Sequence, residues 1–371
     1  MKTSKAKVKI LHIINGEFFS GAERVQDVLA LSLPGYDYEV GFVCLKPVKF
    51  AANRVSTVPL YEVPMKSKFD LACVKEIAAI ARRDQYAVIH SHTPRAVLLG
   101  RLAAWMAGLP LVHHVHSPTT RDTENLLRNY TNAMMERLSL IGVSQLIPVS
   151  KSLEAYLQKQ GWPRTKITTA ANGVVTPGPL PERLPPSSEW VIGSVALFRP
   201  RKGLEVLLQT LADLKQMGKT VRLRAVGPFE TLEYEKTIKA LAIRLGVADM
   251  IDWIGFVQKI ELEFHKMDVM TLPSLFGEGM PMVILEAMAT GVPVVASNVE
   301  GIPEVLEHGQ TGLVVPAGDA QQLAKVIAEL MDGKYQWASM REKAYQLQVA
   351  NFSDRSMAKA VAGVYDAILK K

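Results

Sequence analysis

An α/β protein of two doubly wound domains is what the sequence predicts, and three observations carry that expectation. Short apolar runs alternate with amphipathic stretches of helical period along nearly the whole chain. The alternation breaks once, at the Pro- and Ser-rich segment 176–188, and then resumes. At 371 residues the chain exceeds one ordinary domain and gives each of two domains its own core. The expected limits are residues 1–180 and 190–350, with 351–371 a terminal helix crossing back to the first domain.

In the first domain, runs 8–14, 38–43, 87–90, 111–116 and 146–149 read as strands, too short and too evenly apolar for helices. Between them, 21–33, 71–82, 96–106, 123–140 and 152–159 repeat apolar residues at helical spacing, the crossovers that parallel strands require. The segment Thr176-Pro-Gly-Pro-Leu-Pro-Glu-Arg-Leu-Pro-Pro-Ser-Ser188 cannot continue a helix or a central strand and reads as an interdomain linker. Strand runs then recur at 191–197, 221–226, 251–254, 269–272, 292–296 and 313–315, separated by helical stretches 204–216, 233–245 and 283–288. Three helices without strands follow, 319–331, 337–348 and 356–369. Two similar α/β halves imply a cleft between them for a ligand.

Apolar content of 48% and charged content of 21% describe a soluble globular chain, and no run has the apolar length of a membrane span. The first residues lack the apolar core of a secretory leader, so a cytoplasmic location is expected. Cys44, in a strand, and Cys73, in a helix, are expected to be small buried hydrophobes, with neither a disulfide nor a cysteine-bound metal. The net charge of +7 is uneven: residues 1–185 hold 23 Lys and Arg against 14 Asp and Glu (+9), the remainder 20 against 22 (−2). Such asymmetry suits a phosphorylated substrate or an anionic membrane face, or is a plain solvated surface. No zinc-finger spacing or RNA-binding signature argues for nucleic acid.

The segment Glu278-Gly-Met-Pro-Met-Val-Ile-Leu-Glu286 carries the chemistry. Gly279 permits close backbone approach and Pro281 suits a first helical turn, so the N–H groups of residues 280–283 form an anion site. Glu278 stands at its mouth, and Glu286, two turns on, reaches hydroxyls rather than phosphate. A ligand part phosphate and part sugar fits both; the plain alternative is a dipole-favouring Glu278 and a solvated Glu286.

In company with Ser194-Val-Ala-Leu-Phe-Arg-Pro-Arg-Lys-Gly203 and Gly312-Leu-Val-Val-Pro-Ala-Gly-Asp319, in that order, this segment makes the chain resemble the retaining GT-B glycosyltransferases of family 4. The resemblance covers nearly the whole chain, from Ser20-Gly-Ala-Glu23 through Glu-Ala-Met-Ala-Thr-Gly-Val-Pro-Val-Val-Ala296 to the Glu-His-Gly-Gln-Thr-Gly312 segment, and implies a GT-B fold, two Rossmann-like domains facing a cleft. It implies that Arg199 and Lys202 hold the donor diphosphate, that Glu278 and His116 contact the donor sugar, and that Glu286 takes the ribose hydroxyls. It also places Gly279, Met280, Pro281 and Met282 against sugar and phosphate oxygens, Gly21 near phosphate or acceptor, and Phe256 with Val257 at the base. A diphosphate held by cations needs little else from the enzyme than charge and geometry. Arg201 is expected to face solvent, and Phe256 is equally readable as core.

Three histidines in Leu-Val-His-His-Val-His116 invite a metal reading, but no carboxylate or Cys nearby completes a ligand set, so none is expected. His90 and His92 line the cleft or cap the sheet. The absence of Asp-x-Asp argues against a carboxylate-bound divalent ion, and no cofactor is expected. The expected partners are a nucleotide-sugar donor and a saccharide acceptor, the latter possible in lipid-linked form, with residues 125–138 either docking at a membrane or packing on their own sheet. The competing functions are a nucleotide-sugar epimerase on the same scaffold and a non-catalytic sugar-nucleotide-binding subunit.

Overall fold

The structure, a computed structural model, describes residues 6–66, 70–118, 131, 134 and 137–370. The chain divides into two units, residues 1–173 with 353–371, and residues 174–352.

In the first unit, β1 (Val8–Ile14), β2 (Tyr38–Cys44), β3 (Leu60–Glu62), β4 (Val88–Ser91), β5 (Leu111–Val115) and β6 (Gln145–Pro148) form one sheet in the order β3-β2-β1-β4-β5-β6. Every pairing is parallel, so the helices Gly21–Ser32, Leu71–Arg83, Pro94–Ala107 and Lys151–Lys159 serve as crossovers. The order reverses between β1 and β4, the switch point at which doubly wound sheets open a crevice beyond their strand ends. The helix Asp354–Leu369 belongs to this unit. It buries Met357, Val361, Val364 and Tyr365 and is tied by Ser32 Oγ donating to Asp354 (2.8 Å) and Tyr38 Oη donating to Asp366 (2.8 Å).

The second unit repeats the plan. Strands β7 (Trp190–Val195), β8 (Val221–Val226), β9 (Ile251–Gly255), β10 (Val269–Leu272), β11 (Val294–Ser297) and β12 (Leu313–Val315) run parallel in the order β12-β11-β10-β7-β8-β9. Its switch point lies between β7 and β10. The helix Leu204–Gln216 presents Leu204, Leu207, Leu208, Leu211 and Leu214 to a core that includes Ile192, Leu223 and Val269. Each buried leucine contributes roughly 2 kcal/mol.

The segment 176–188, expected as a linker, lies instead within the second unit. Proline-rich backbone has carbonyls without ladder partners, and side chains supply them: Arg341 donates to Pro181 O (2.9 Å) and Tyr345 to Gly178 O (2.8 Å). Arg183 in turn pairs with Asp268. The short elements Phe50–Asn53, Leu60–Glu62 and Ile260–Phe264 escaped the sequence reading because none is long enough to show a period. The expected helix 123–140 and its docking stretch 125–138 fall mostly outside the described residues. Cys44 and Cys73 are buried free thiols. Among the described residues no helix is long and apolar enough to cross a membrane.

Candidate functional site

The second unit gathers its charged residues at the switch point. After β7, Arg199 precedes a short 3-10 turn, Pro200–Lys202, and Gly203 both ends that turn and opens the helix Leu204–Gln216. Gly203 has φ 67°, and a Cβ there would stand 2.0 Å from Pro273 O. Only glycine lets the loop after β7 lie this close to the loop after β10. Leu275 N–H donates to Arg201 O (2.8 Å) and stitches the two loops together.

That approach brings Lys202 onto Glu278. Lys202 Nζ and Ser274 Oγ both donate to Glu278 Oε1, the latter at 2.7 Å. Arg201 Nη1 stands 3.7 Å from the same oxygen and donates to the carbonyls of Phe276 (3.2 Å) and Gly277 (2.8 Å). Arg201 therefore does not face solvent as expected; its side chain is 14% exposed, drawn in by carbonyls that the turn before Glu278 leaves open. Burial pushes the Glu278 carboxyl up, but Lys202 and Arg201 outweigh it and hold it below the usual range. Burial lowers the Lys202 ammonium, with Arg201 adding to that effect and Glu278 opposing it. The backbone of Glu278 is pinned as well, its N–H donating to Glu300 Oε2 (3.2 Å) and its carbonyl accepting from Gly301 (3.0 Å). Glu300 takes φ 35°, in the left-handed region that favours glycine, so a side chain occupies a strained position in order to meet this loop.

Arg199 stands with its Nη1 3.5 Å from Glu230 Oε1 and is near enough to Lys202 to add to the lowering of that ammonium. Gly279, Met280, Pro281 and Met282 are buried, and Pro281 occupies the capping position of the helix Met282–Ala289 rather than its first turn. The first-turn N–H groups of that helix favour an anion, and Glu286, also buried, lies one turn further along. Beyond β9, Phe256 is 52% exposed and Val257 half-buried, so Phe256 is not core.

At the equivalent point of the first unit, Glu17 pairs with Lys46 (2.6 Å) and stands 4.0 Å from Arg95. Ser20 and Glu23 form a capping box, with Ser20 Oγ donating to Glu23 Oε2 (2.8 Å), and Gly21 is the exposed first residue of the helix Gly21–Ser32. Beside this helix start, five imidazoles collect on one face of the sheet. Register pairs His12 with His90, and strand alternation puts His92, His114 and His116 in line with them. His114 stacks on His116 (ring centroids 4.7 Å apart) and His90 on His92 (4.2 Å). His113 points to the opposite face and meets Ser91 Oγ (2.9 Å). A chain of hydrogen bonds joins the group: Tyr365 Oη to His12 Nε2 (3.2 Å), His12 Nδ1 to His92 Nε2 (3.1 Å), and His92 Nδ1 to His116 Nε2 (3.1 Å). Tyr365 Oη also meets His90 Nδ1 (2.6 Å). Burial lowers His12 to about 3, His113 to about 3 and His116 to about 4, and takes His90, His92 and His114 well below the ordinary value. All are neutral imidazoles at neutral pH.

Sequence reasoning missed Arg201, Ser274, Glu300, His12 and Tyr365 as members of these clusters. Ser274 had a signal, its place just beyond the end of β10; the others are brought in by strand order and by the returning C-terminal helix.

Comparison with known proteins gives two family matches. The model described as "Glycosyltransferase Family 4" matches residues 19–176, and that described as "Glycosyl transferases group 1" matches residues 181–347. The amylovoran biosynthesis glycosyltransferase AmsK of Erwinia amylovora is 32% identical over an alignment covering 51% of this chain and 48% of that protein. The chain thus spans about half the length of the first curated relatives it matches. A UDP-Gal:alpha-D-GlcNAc-diphosphoundecaprenol alpha-1,3-galactosyltransferase of Escherichia coli is 23% identical, with 90% of each chain covered. The crystal structure of Anabaena Alr3699/HepE in complex with UDP and glucose superposes with TM-score 0.86 at 22% identity, over 97% of this chain and 100% of that one, a likeness of fold.

Proposed function

The chain belongs to the family 4 glycosyltransferases of GT-B fold, and on that premise we propose that it moves a hexosyl unit from a UDP- or GDP-sugar to an acceptor hydroxyl, with retention of anomeric configuration. The observation that carries this reading is the Lys202–Glu278 pair at the switch point of the second sheet, joined by Arg201 and lying just ahead of a helix N-terminus. Cations beside such a terminus suit a diphosphate. In this reading Lys202 and Arg199 hold the diphosphate and neutralise the charge that develops as the glycosidic bond breaks, without a divalent ion. The departing diphosphate oxygen takes the proton of the incoming hydroxyl on the same face of the sugar, so no strong protein base is needed. Glu278 orients the sugar, Glu286 accepts from the ribose hydroxyls, and exposed Phe256 with Val257 flanks the base. His116 serves the donor sugar.

A lipid-linked saccharide acceptor at the cytoplasmic membrane face, in the assembly of a surface polysaccharide or lipopolysaccharide, extends the proposal. It is supported by the relatives' names and by the +9 balance of residues 1–185. The test is thermal denaturation of the purified chain with UDP, GDP, ADP and TDP and their common sugars in EDTA. A rise in Tm with one nucleotide names the donor base; no shift with any of them overturns the reading.

A further inference from the structure

Buried polar atoms are normally paired, yet neither ring nitrogen of His114 nor Nε2 of His90 has a hydrogen-bond partner, and both side chains are fully buried. These orphans lie inside the imidazole stack. Among the described residues, His92, His114 and His116 each offer a ring nitrogen, all three within 4.8 Å of one another.

We infer that His92, His114 and His116 form a three-imidazole site for a borderline-soft divalent ion of the Zn²⁺ class. The inference stands on the first unit alone; it makes the His116 Nε2 a ligand and leaves only its Nδ1–H for the donor sugar of the proposed reaction. Ligands of a tetrahedral Zn²⁺ stand about 3.3 Å apart, so His92 Nδ1 and His116 Nε2, 3.1 Å apart, already have that spacing. The third nitrogen must close by no more than about 1.5 Å. One of the two proton orders open to the cluster suits an ion. With the Tyr365 hydroxyl donating to His90 Nδ1, the only consistent order is His12 Nε2–H to Tyr365 Oη and His92 Nε2–H to His12 Nδ1. That order leaves the lone pair of His92 Nδ1 aimed at His116. The ion requires His116 to carry its proton on Nδ1, and it gives His114 the partner it lacks. A ligating histidine whose second nitrogen is held by another group is the usual outer shell of a zinc site, and His12 with Tyr365 provides one for His92. His116 is half-buried, the least enclosed of the three. The sequence expectation of no metal rested on a missing local carboxylate or thiol; β4 supplies His92 instead, beside the pair that follows along β5.

The test uses the untagged full-length chain, stripped with a chelator that is then dialysed away, and titrated with Co²⁺ and then Zn²⁺. The expected result is one Co²⁺ per chain with the intense visible absorption of a tetrahedral site, displaced by Zn²⁺, and a Zn²⁺-dependent rise in Tm. His116→Gln and His114→Gln should each weaken binding by at least ~100-fold, more than the loss of an outer-shell partner costs, while His308→Gln in the second unit changes nothing. If His114→Gln does not fold, His116→Gln decides alone, because that side chain is half-buried. A folded wild-type chain that takes up no stoichiometric ion, or unchanged affinity in folded His116→Gln, overturns the inference.

Discussion

The two units share one sheet order, and at the switch point the second buries a cluster of ions while the first sets partly exposed ions, Glu17 with Lys46 and Arg95, in the same unit as a buried group of neutral imidazoles. In the second unit Lys202, Arg201 and Glu278 meet as ions whose burial is offset by mutual attraction, by Ser274 donating to Glu278 and by the carbonyls of Phe276 and Gly277 accepting from Arg201. In the first unit five imidazoles pack on one face with a tyrosine hydroxyl, each kept neutral because burial penalises the charged ring. The difference teaches that a parallel sheet fixes where a site opens but not its electrostatics. The loops of the second unit deliver long charged side chains, whereas the strands of the first deliver short, polarisable ones.

Acid breaks the comparison most strongly. The first-unit histidines have folded pKa values depressed below their unfolded value, so their contribution is complete above about pH 6.5 and is lost as pH falls toward the folded values of about 3 to 4. Each costs ~1.4 kcal/mol per pH unit within that window. The Glu278 carboxyl is also depressed, but its window opens only below the ordinary carboxylate range. Limited proteolysis of metal-free protein between pH 7 and pH 5 should therefore cut the first unit before the second; cleavage starting in 174–352 would reverse the assignment.

Lys202→Ala comes next. If Lys202 holds the diphosphate as proposed, its loss should lower turnover ~100-fold in a donor-hydrolysis or transfer assay. It should also leave Glu278 without its closest counter-ion. Near-normal turnover would remove Lys202 from the mechanism and reduce the second-unit cluster to a structural ion pair.

Glu286→Ala is the smallest of the three. If Glu286 accepts from the ribose hydroxyls as proposed, the substitution should weaken nucleotide affinity ~10-fold by calorimetry, with turnover at saturating donor little changed. Unaltered affinity would place the ribose elsewhere.

Much of this was legible before folding. Strand and helix runs are fixed by period: 204–216, 221–226, 269–272 and 313–315 have the limits read from sequence, because buried parallel strands and amphipathic helices leave different spacings in the apolar pattern. Glu278, Lys202 and Gly203 were legible for a related reason, since a glycine with a basic residue before a helix and a carboxylate before a Gly-x-Pro turn are local signals. Short elements such as Leu60–Glu62, and the Pro-rich segment 176–188, were not legible, because their conformations depend on partners such as Arg341 and Tyr345 from far along the chain.

The sequence by itself therefore determined two α/β halves, their element order and the charged turn at Glu278, all set by interactions within a few residues. Only the tertiary structure decided that Arg201 turns inward to the carbonyls of Phe276 and Gly277, and that Glu300 braces the Glu278 backbone. It alone brought His12, His92 and His116, from β1 and from the ends of β4 and β5, into one hydrogen-bonded line ending at Tyr365. The reason is physical: strand order and the returning helix set which distant residues become neighbours, and burial then decides whether those neighbours meet as ions or as neutral ligands.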